Sequence, residues 1–232
     1  MSLSTVLYTY AWLDCKIPKY ADPSRTWCRR VQRWHHHYKD WKPAVLLDNG
    51  SSKEHCEAVA KEYGIEVVNA QPHLVYGTVG CDYPQVWRMY YYMKELLKTY
   101  EKIVFTATDA YICGQELLDY IESLDSGWTA LWCHNHPESA IQVLTRNCES
   151  YEKFFAGTLD EVIAKYNGNM EEAIIPFTHV EKGFKGNRYG EMGWTPYTSD
   201  MAYYTQVSDN LENDDMFPVL RLVDGKMKVV TL

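Results

Sequence analysis

The stretch Lys102-Ile103-Val104-Phe105-Thr106-Ala107-Thr108-Asp109-Ala110-Tyr111 decides how the rest of this chain is read. Ile103 to Thr106 are β-branched or aromatic, as in a strand buried on both faces, and the run passes through small residues to one carboxylate. Helical patterns flank it, Tyr83 to Tyr100 before and Gln115 to Leu124 after. Open α/β sheets keep their ligands outside the carboxyl ends of the strands, which is where Asp109 falls. The same aspartate also suits a turn or a helix cap, because its short side chain accepts from nearby backbone N–H groups. The strand alone does not choose between these two roles.

Upstream, Thr5 to Trp12 (T-V-L-Y-T-Y-A-W) reads as a first strand, followed by a loop from Leu13 to Asp22. Asp22 or Ser24 then suits the cap of a helix reaching about Trp41, with Val31, Trp34 and Tyr38 on one face. Pro43 to Leu47 is a second strand, and Asp48-Asn49-Gly50-Ser51-Ser52 after it combines turn and cap chemistry. A helix over Lys53 to Tyr63 stops at Gly64, and Ile65 to Asn69 is a short third strand. The loop Ala70 to Cys81 leads to the Tyr83 helix. Downstream, Trp128 to Cys133 is a further strand.

This alternation gives an α/β fold with a mostly parallel central sheet flanked by helices. The sequence beyond it is looser. Helices are expected at Glu149–Phe155 and Leu159–Tyr166, then loops and short strands beyond Gly183. A hairpin is expected where Val219–Val223 and Met227–Thr231 flank Asp224-Gly225-Lys226. The layout is one domain over residues 4–232, with a regular half at 4–133 and an irregular, loop-rich C-terminal half at 134–232.

A chain of 232 residues is long enough to bury a proper core, and its 46% hydrophobic and 23% charged content is ordinary globular composition. The net charge of −8 disfavours nucleic acid as a partner, since neutralising a phosphate backbone needs a basic surface. A local basic cleft for one diphosphate remains compatible with it. No apolar run approaches the ~20 residues that span a bilayer, and no signal-peptide layout opens the chain. The seven cysteines are odd in number and never form a CxxC pair, a pattern that suits reduced thiols and a cytoplasmic location. Aromatics reach 14%, which serves either the core or stacking on sugars and bases.

Several motifs are absent. Without G-x-G-x-x-G, a Walker loop or G-x-S-x-G, dinucleotide oxidoreductases, P-loop enzymes and α/β-hydrolases are disfavoured. His35-His36-His37 point different ways around a helix and make no chelate from one face. The run His134-Asn135-His136 lacks partners at zinc spacing. What remains is convergence. In a parallel sheet the loops at Trp12-Leu13-Asp14 and Asp48-Asn49-Gly50-Ser51 share an edge with Asp109.

The order strand, D-N-G-S-S, helix, strand, loop, arginine-bearing helix, strand, x-x-D resembles the GT-A fold of nucleotide-sugar glycosyltransferases. The resemblance runs from residue 4 to about 133 and rests on the order of short motifs. It implies transfer of a sugar, a hexosyl group for instance, from a nucleoside-diphosphate sugar to a glycan or other hydroxyl acceptor, with Mn²⁺ or Mg²⁺. Asp109 matches the last acid of the family's D-x-D and would hold the metal, with His179 as a late co-ligand. Arg88, in Y-P-Q-V-W-R-M-Y-Y-Y, matches the helix arginine that serves the diphosphate or sugar. Asp48 would meet the base, and Tyr10 or Trp12 would stack on it. Glu171 or Glu172, in M-E-E-A-I-I-P, precede an apolar run read as strand-like and are candidates for the base that takes the acceptor proton.

One position departs from the family. Two residues before Asp109, where the family has an acid, stands Ala107. A hard divalent cation prefers several oxygen ligands, so one carboxylate plus a diphosphate makes a lean site. Diphosphate binding by arginine and lysine without metal is the other option. So is a catalytically degenerate module that binds nucleotide or glycan without turnover. A sugar nucleotidyltransferase is disfavoured, because no glycine-rich basic loop follows the first strand to hold a triphosphate.

Overall fold

The computed structural model describes residues 4–15, 29–75, 83–133, 136–166, 170–189, 203–207 and 219–230. The strands are β1 Thr5–Ala11, β2 Ala44–Asp48, β3 Glu66–Asn69, β4 Lys102–Thr106, β5 Ala110–Ile112, β6 Trp128–Cys133, β7 His136–Thr145, β8 His179–Tyr189, β9 Tyr204–Val207, β10 Val219–Val223 and β11 Lys226–Val230. The helices are α1 Arg29–Tyr38, α2 Lys53–Tyr63, α3 Pro84–Leu96, α4 Gln115–Ser123, α5 Glu149–Phe154, α6 Leu159–Tyr166 and α7 Met170–Ile174.

Strands one to four form a parallel block in the order β3-β2-β1-β4, with β7 antiparallel against β4 and β6 antiparallel against β7. β8 and β9 continue the sheet in parallel, and β5 closes it antiparallel to β9. The α/β architecture with a mostly parallel, helix-flanked sheet is as the sequence implies. All five residues of β4 are buried, as a strand covered on both faces requires.

Two clusters cover the sheet. On one face Tyr8, Val45, Leu47 and Phe105 pack against Trp87, Tyr90 and Met93 of α3 and against Tyr151, Phe154 and Ile174. On the other, Leu7, Val104, Ile141 and Val143 pack against Trp34 and Tyr38 of α1 and Leu117 and Ile121 of α4. Much of the aromatic content is spent here. Trp34, Trp87, Trp128, Tyr8, Tyr38, Tyr90 and Tyr151 are all fully buried. Their polar tips tie the layers together. The Tyr8 hydroxyl donates to the Met89 carbonyl at 2.8 Å, the Tyr38 hydroxyl to the Ala110 carbonyl at 2.9 Å, and Trp34 Nε1 to Thr106 Oγ1 at 2.7 Å. Each buried ring thus adds apolar area without leaving its polar atom unpaired, which would cost about 1–3 kcal/mol. Trp87 is the exception: its Nε1 is buried without a partner.

The second half corrects the sequence reading. Residues 136–145, to which the sequence reading assigned no element, form β7, which hydrogen-bonds β4 directly, so the boundary at 133 falls inside the β6–β7 pair. The run Ala173–Ile175, read as strand-like, ends α7 and enters a 3-10 turn, because Met170 and Ile174 lie one helical turn apart and bury together. The stretch after Asp109, expected to lead straight to a helix, first makes β5. The hairpin β10–β11 forms as expected, with Asp224 and Gly225 both at positive φ in its turn.

Candidate functional site

The β2–α2–β3 crossover between parallel strands places the start of α2 at the carboxyl edge of the parallel block. The expected site residues of this block are found along that edge, in three separate arrangements.

The first surrounds Asp48, the last residue of β2, whose side chain is fully buried. Its Oδ1 accepts from the Leu13 backbone N–H at 3.2 Å and from Ser51 Oγ at 2.5 Å. Its Oδ2 accepts from the Ser51 N–H at 2.6 Å and from Asn69 Nδ2 at 3.1 Å. The carboxylate therefore clamps the ends of β1, β2 and β3 together. This corrects the expectation that Asp48 meets a base, since both oxygens are enclosed by the protein's own donors. Gly50 makes the turn possible. Its φ is +77°, and a Cβ there would lie 2.5 Å from the His73 backbone nitrogen.

Asp14 forms a second polar node nearby. Its Oδ2 accepts from the Ser52 N–H at 2.8 Å, and its Oδ1 contacts Ser52 Oγ at 3.2 Å and the His55 Nδ1. Burial would raise the Asp14 carboxyl, but the hydrogen bonds from Ser52 and His55 prevail and hold it below its ordinary value. Asp14 thus extends the Ser52 cap of α2, and His55 completes it.

The second arrangement is built on Arg88. Its Nη1 donates to the carbonyls of Ala70 and Pro72, both at 2.8 Å, and more distantly to Asn49 Oδ1 at 3.4 Å. The guanidinium pins the loop after β3, and His73 of that loop stacks on Trp12 with centroids 4.3 Å apart. One face of the Trp12 indole is therefore covered by the protein's own histidine. Tyr10, on the same face of β1 as Tyr8, turns toward Arg88, and its hydroxyl is buried without a hydrogen-bond partner. Burial drives the Tyr10 phenol well above its ordinary value, Arg88 opposes that and Asp48 adds to it. Burial also draws Arg88 down, against the influence of Tyr10.

The third is Asp109, in the turn between β4 and β5. Its Oδ2 pairs with Arg30 Nη1 at 3.0 Å, and the two side chains are 20% and 29% exposed. Arg30 lies on α1 next to Arg29. β1 lies between β2 and β4; Arg30 meets the turn after β4, and Arg88 meets the loops after β2 and β3.

The other expected residues lie elsewhere. His179 starts β8 and is exposed, with Glu181 at 3.7 Å. It shares a row with Thr129, Val143 and Val104, hence three strands from β4 and about 14 Å away at ordinary strand spacing. The lateral offset and the five further residues from Val104 to Asp109 keep His179 from being a co-ligand of Asp109. Glu171 and Glu172 sit on α7, which packs over β7 on the α3 face; Glu171 is half-buried and Glu172 exposed. His35 stacks on Tyr63 while His37 is buried against Tyr38 and Tyr111, so the three histidines do diverge. His134 and Asn135 lie outside the described residues.

The described residues fit a divalent metal poorly. Asp109 already faces a guanidinium, Ala107 supplies no oxygen, and no group of three His, Cys, Asp or Glu gathers among the described residues. Sequence reasoning placed Asp14 on this edge without a role and missed Arg30 and His55. Arg30 and Asp109 stand 79 residues apart and no local pattern joins them.

No protein-family model and no curated protein sequence matches the chain. Solved structures of similar shape include one described as a nucleotide-diphospho-sugar transferase from Desulfovibrio desulfuricans G20, with 10% identity, 80% of this chain and 81% of that one covered, and a TM-score of 0.47. A second is described as a glucose-1-phosphate thymidylyltransferase from Bacillus anthracis in complex with a sucrose, at 8% identity, 88% and 89% coverage and a TM-score of 0.48. A third is a glycosyltransferase involved in glycosylation of the major capsid of PBCV-1, at 7% identity, 87% and 91% coverage and a TM-score of 0.45. Overlap at this level is a likeness of shape and assigns no chemistry.

Proposed function

We propose that this chain is a transferase that binds a nucleoside-diphosphate sugar at the carboxyl edge of β1, β2 and β4 and passes the sugar to a hydroxyl acceptor. The observation that carries this reading is the pair of guanidiniums along one sheet edge, Arg30 at the turn after β4 and Arg88 at the loops after β2 and β3, in a protein of net charge −8. Cations set at a strand-end crevice of a parallel sheet suit an anionic ligand. The orphaned Tyr10 hydroxyl at the same edge supports it, since a polar ligand atom or water there would offset a cost of about 1–3 kcal/mol.

In sugar transfer the nucleoside diphosphate leaves with growing negative charge, and donors fixed in advance lower the barrier by stabilising it. Asp48 acts in this reading only through the framework it clamps. Tyr10 and Trp12 border the space for the base in this reading. Glu171, half-buried on the Arg88 face, is the carboxylate offered for the acceptor proton. The test is a thermal-shift panel of nucleoside diphosphates and their sugars, followed by assay of nucleotide release. A selective ligand at a hundredfold excess over its dissociation constant stabilises the fold by about 2.7 kcal/mol. Glu171→Gln should keep that stabilisation and lose transfer. A panel in which no member binds would reject the reading.

A further inference from the structure

We infer that Arg30, and not a divalent cation, neutralises the diphosphate at this edge, with Asp109 as the residue that positions Arg30. The inference rests on the nucleotide-sugar reading for its ligand and on the β4 turn for its geometry.

Asp109 is the position that resemblance assigns to a metal, yet its Oδ2 lies 3.0 Å from Arg30 Nη1. A cation bound to that oxygen would have to displace the guanidinium or sit against it, and two positive charges that close repel. The second acid of a metal motif is replaced by Ala107, which packs against both core clusters and brings no oxygen. The positive charge that a diphosphate needs is therefore already present as a side chain. A guanidinium carries five N–H donors in a planar fork, so it can hold a carboxylate along one edge and phosphate oxygens along another.

The surroundings agree. Arg29 stands beside Arg30 in sequence, and neighbouring like charges are locally unfavourable. Nearby negative charge relieves that, and Asp109 supplies one such charge. A diphosphate would supply more. Both members of the pair are partly exposed, so the site is reachable without dismantling the core.

Metal and arginine make opposite demands on Asp109. A metal-holding aspartate is essential, and Asp109→Asn would abolish binding. A positioning aspartate competes with the phosphate for the same cation. Asparagine still accepts a hydrogen bond from Arg30 but removes the competing charge, so affinity should rise by about threefold or more.

The experiment is calorimetric titration with inorganic pyrophosphate and with a panel of nucleoside diphosphates, each in chelator and in Mn²⁺ or Mg²⁺. Wild type, Arg30→Gln, Arg30→Lys and Asp109→Asn are compared, with thermal melts confirming that each variant folds. Expected are binding that survives chelator, a loss of about tenfold or more in Arg30→Gln, partial rescue in Arg30→Lys and tighter binding in Asp109→Asn. Binding that appears only with metal and vanishes in Asp109→Asn would overturn the assignment to Arg30 and leave the transferase reading standing. Arg30-dependent binding of pyrophosphate with no response to any nucleotide would do the reverse. No binding of either probe under any condition would end both.

Discussion

Two aspartates end neighbouring regions of one sheet edge, and their fates differ. Asp48 closes β2 fully buried, its oxygens taken up by Leu13, Ser51 and Asn69. Asp109 follows β4 one-fifth exposed and faces a mobile type of partner, a long arginine side chain. The first corner is built to hold strands together, the second to present charge to solvent. The lesson is that position at a strand end identifies a place where ligands can bind, while burial and the nature of the partner separate framework from working groups.

That contrast can be broken by mutation, and the greatest effect is expected at the closed corner. Asp48→Ala strips the acceptor from four backbone or side-chain donors on Leu13, Ser51 and Asn69. It should cost about 3–5 kcal/mol in chemical denaturation. A loss below about 1 kcal/mol would mean that water readily replaces the carboxylate and that the corner is open. Next comes Gly50→Ala, whose Cβ would meet the His73 backbone at positive φ. A cost of about 1–3 kcal/mol is expected, with loosened proteolytic protection of the 70–75 loop. At the open corner, Asp109→Asn should change stability by about 1 kcal/mol or less, as partly exposed ion pairs do. If it destabilises as much as Asp48→Ala, the two corners are alike and the distinction falls.

The smallest effect concerns pH. The folded Asp14 carboxyl lies below its ordinary value, so its contribution to stability is present above about pH 4 and is lost as pH falls through the folded value. Asp14→Asn should therefore flatten the acid limb of the stability curve below about pH 4 and leave the neutral region's slope unchanged. An identical acid limb in the variant would show that the Ser52 and His55 contacts do not persist in solution.

The first half of the fold was legible in sequence because its signals are local. The Ile103–Thr106 run, the Ser52 cap and the Gly64 stop each specify an element through neighbouring residues, and Gly64 does adopt the left-handed conformation with φ +64°. β7 was missed because His136, Pro137 and Glu138 look like loop, whereas pairing with β4 and β6 settles the strand from outside. α7 was misread because Ile174-Ile175 favours strand, until the burial of Met170 with Ile174 selects the helical period. The gathering of these strand ends along one edge was equally legible, since parallel strands bring their carboxyl ends together. The pairings within it were not. Asp109 with Arg30 and Asp14 with His55 depend on how α1 and α2 pack, which no short window of sequence encodes.

A crystal structure with a nucleoside diphosphate bound would bear most directly on all of this. The expected density has the diphosphate at the carboxyl ends of β1, β2 and β4, within hydrogen-bond distance of Arg30, with Asp48 still enclosed. Nucleotide found at another surface, or a cation seated between Asp109 and the phosphates with Arg30 turned away, would contradict it.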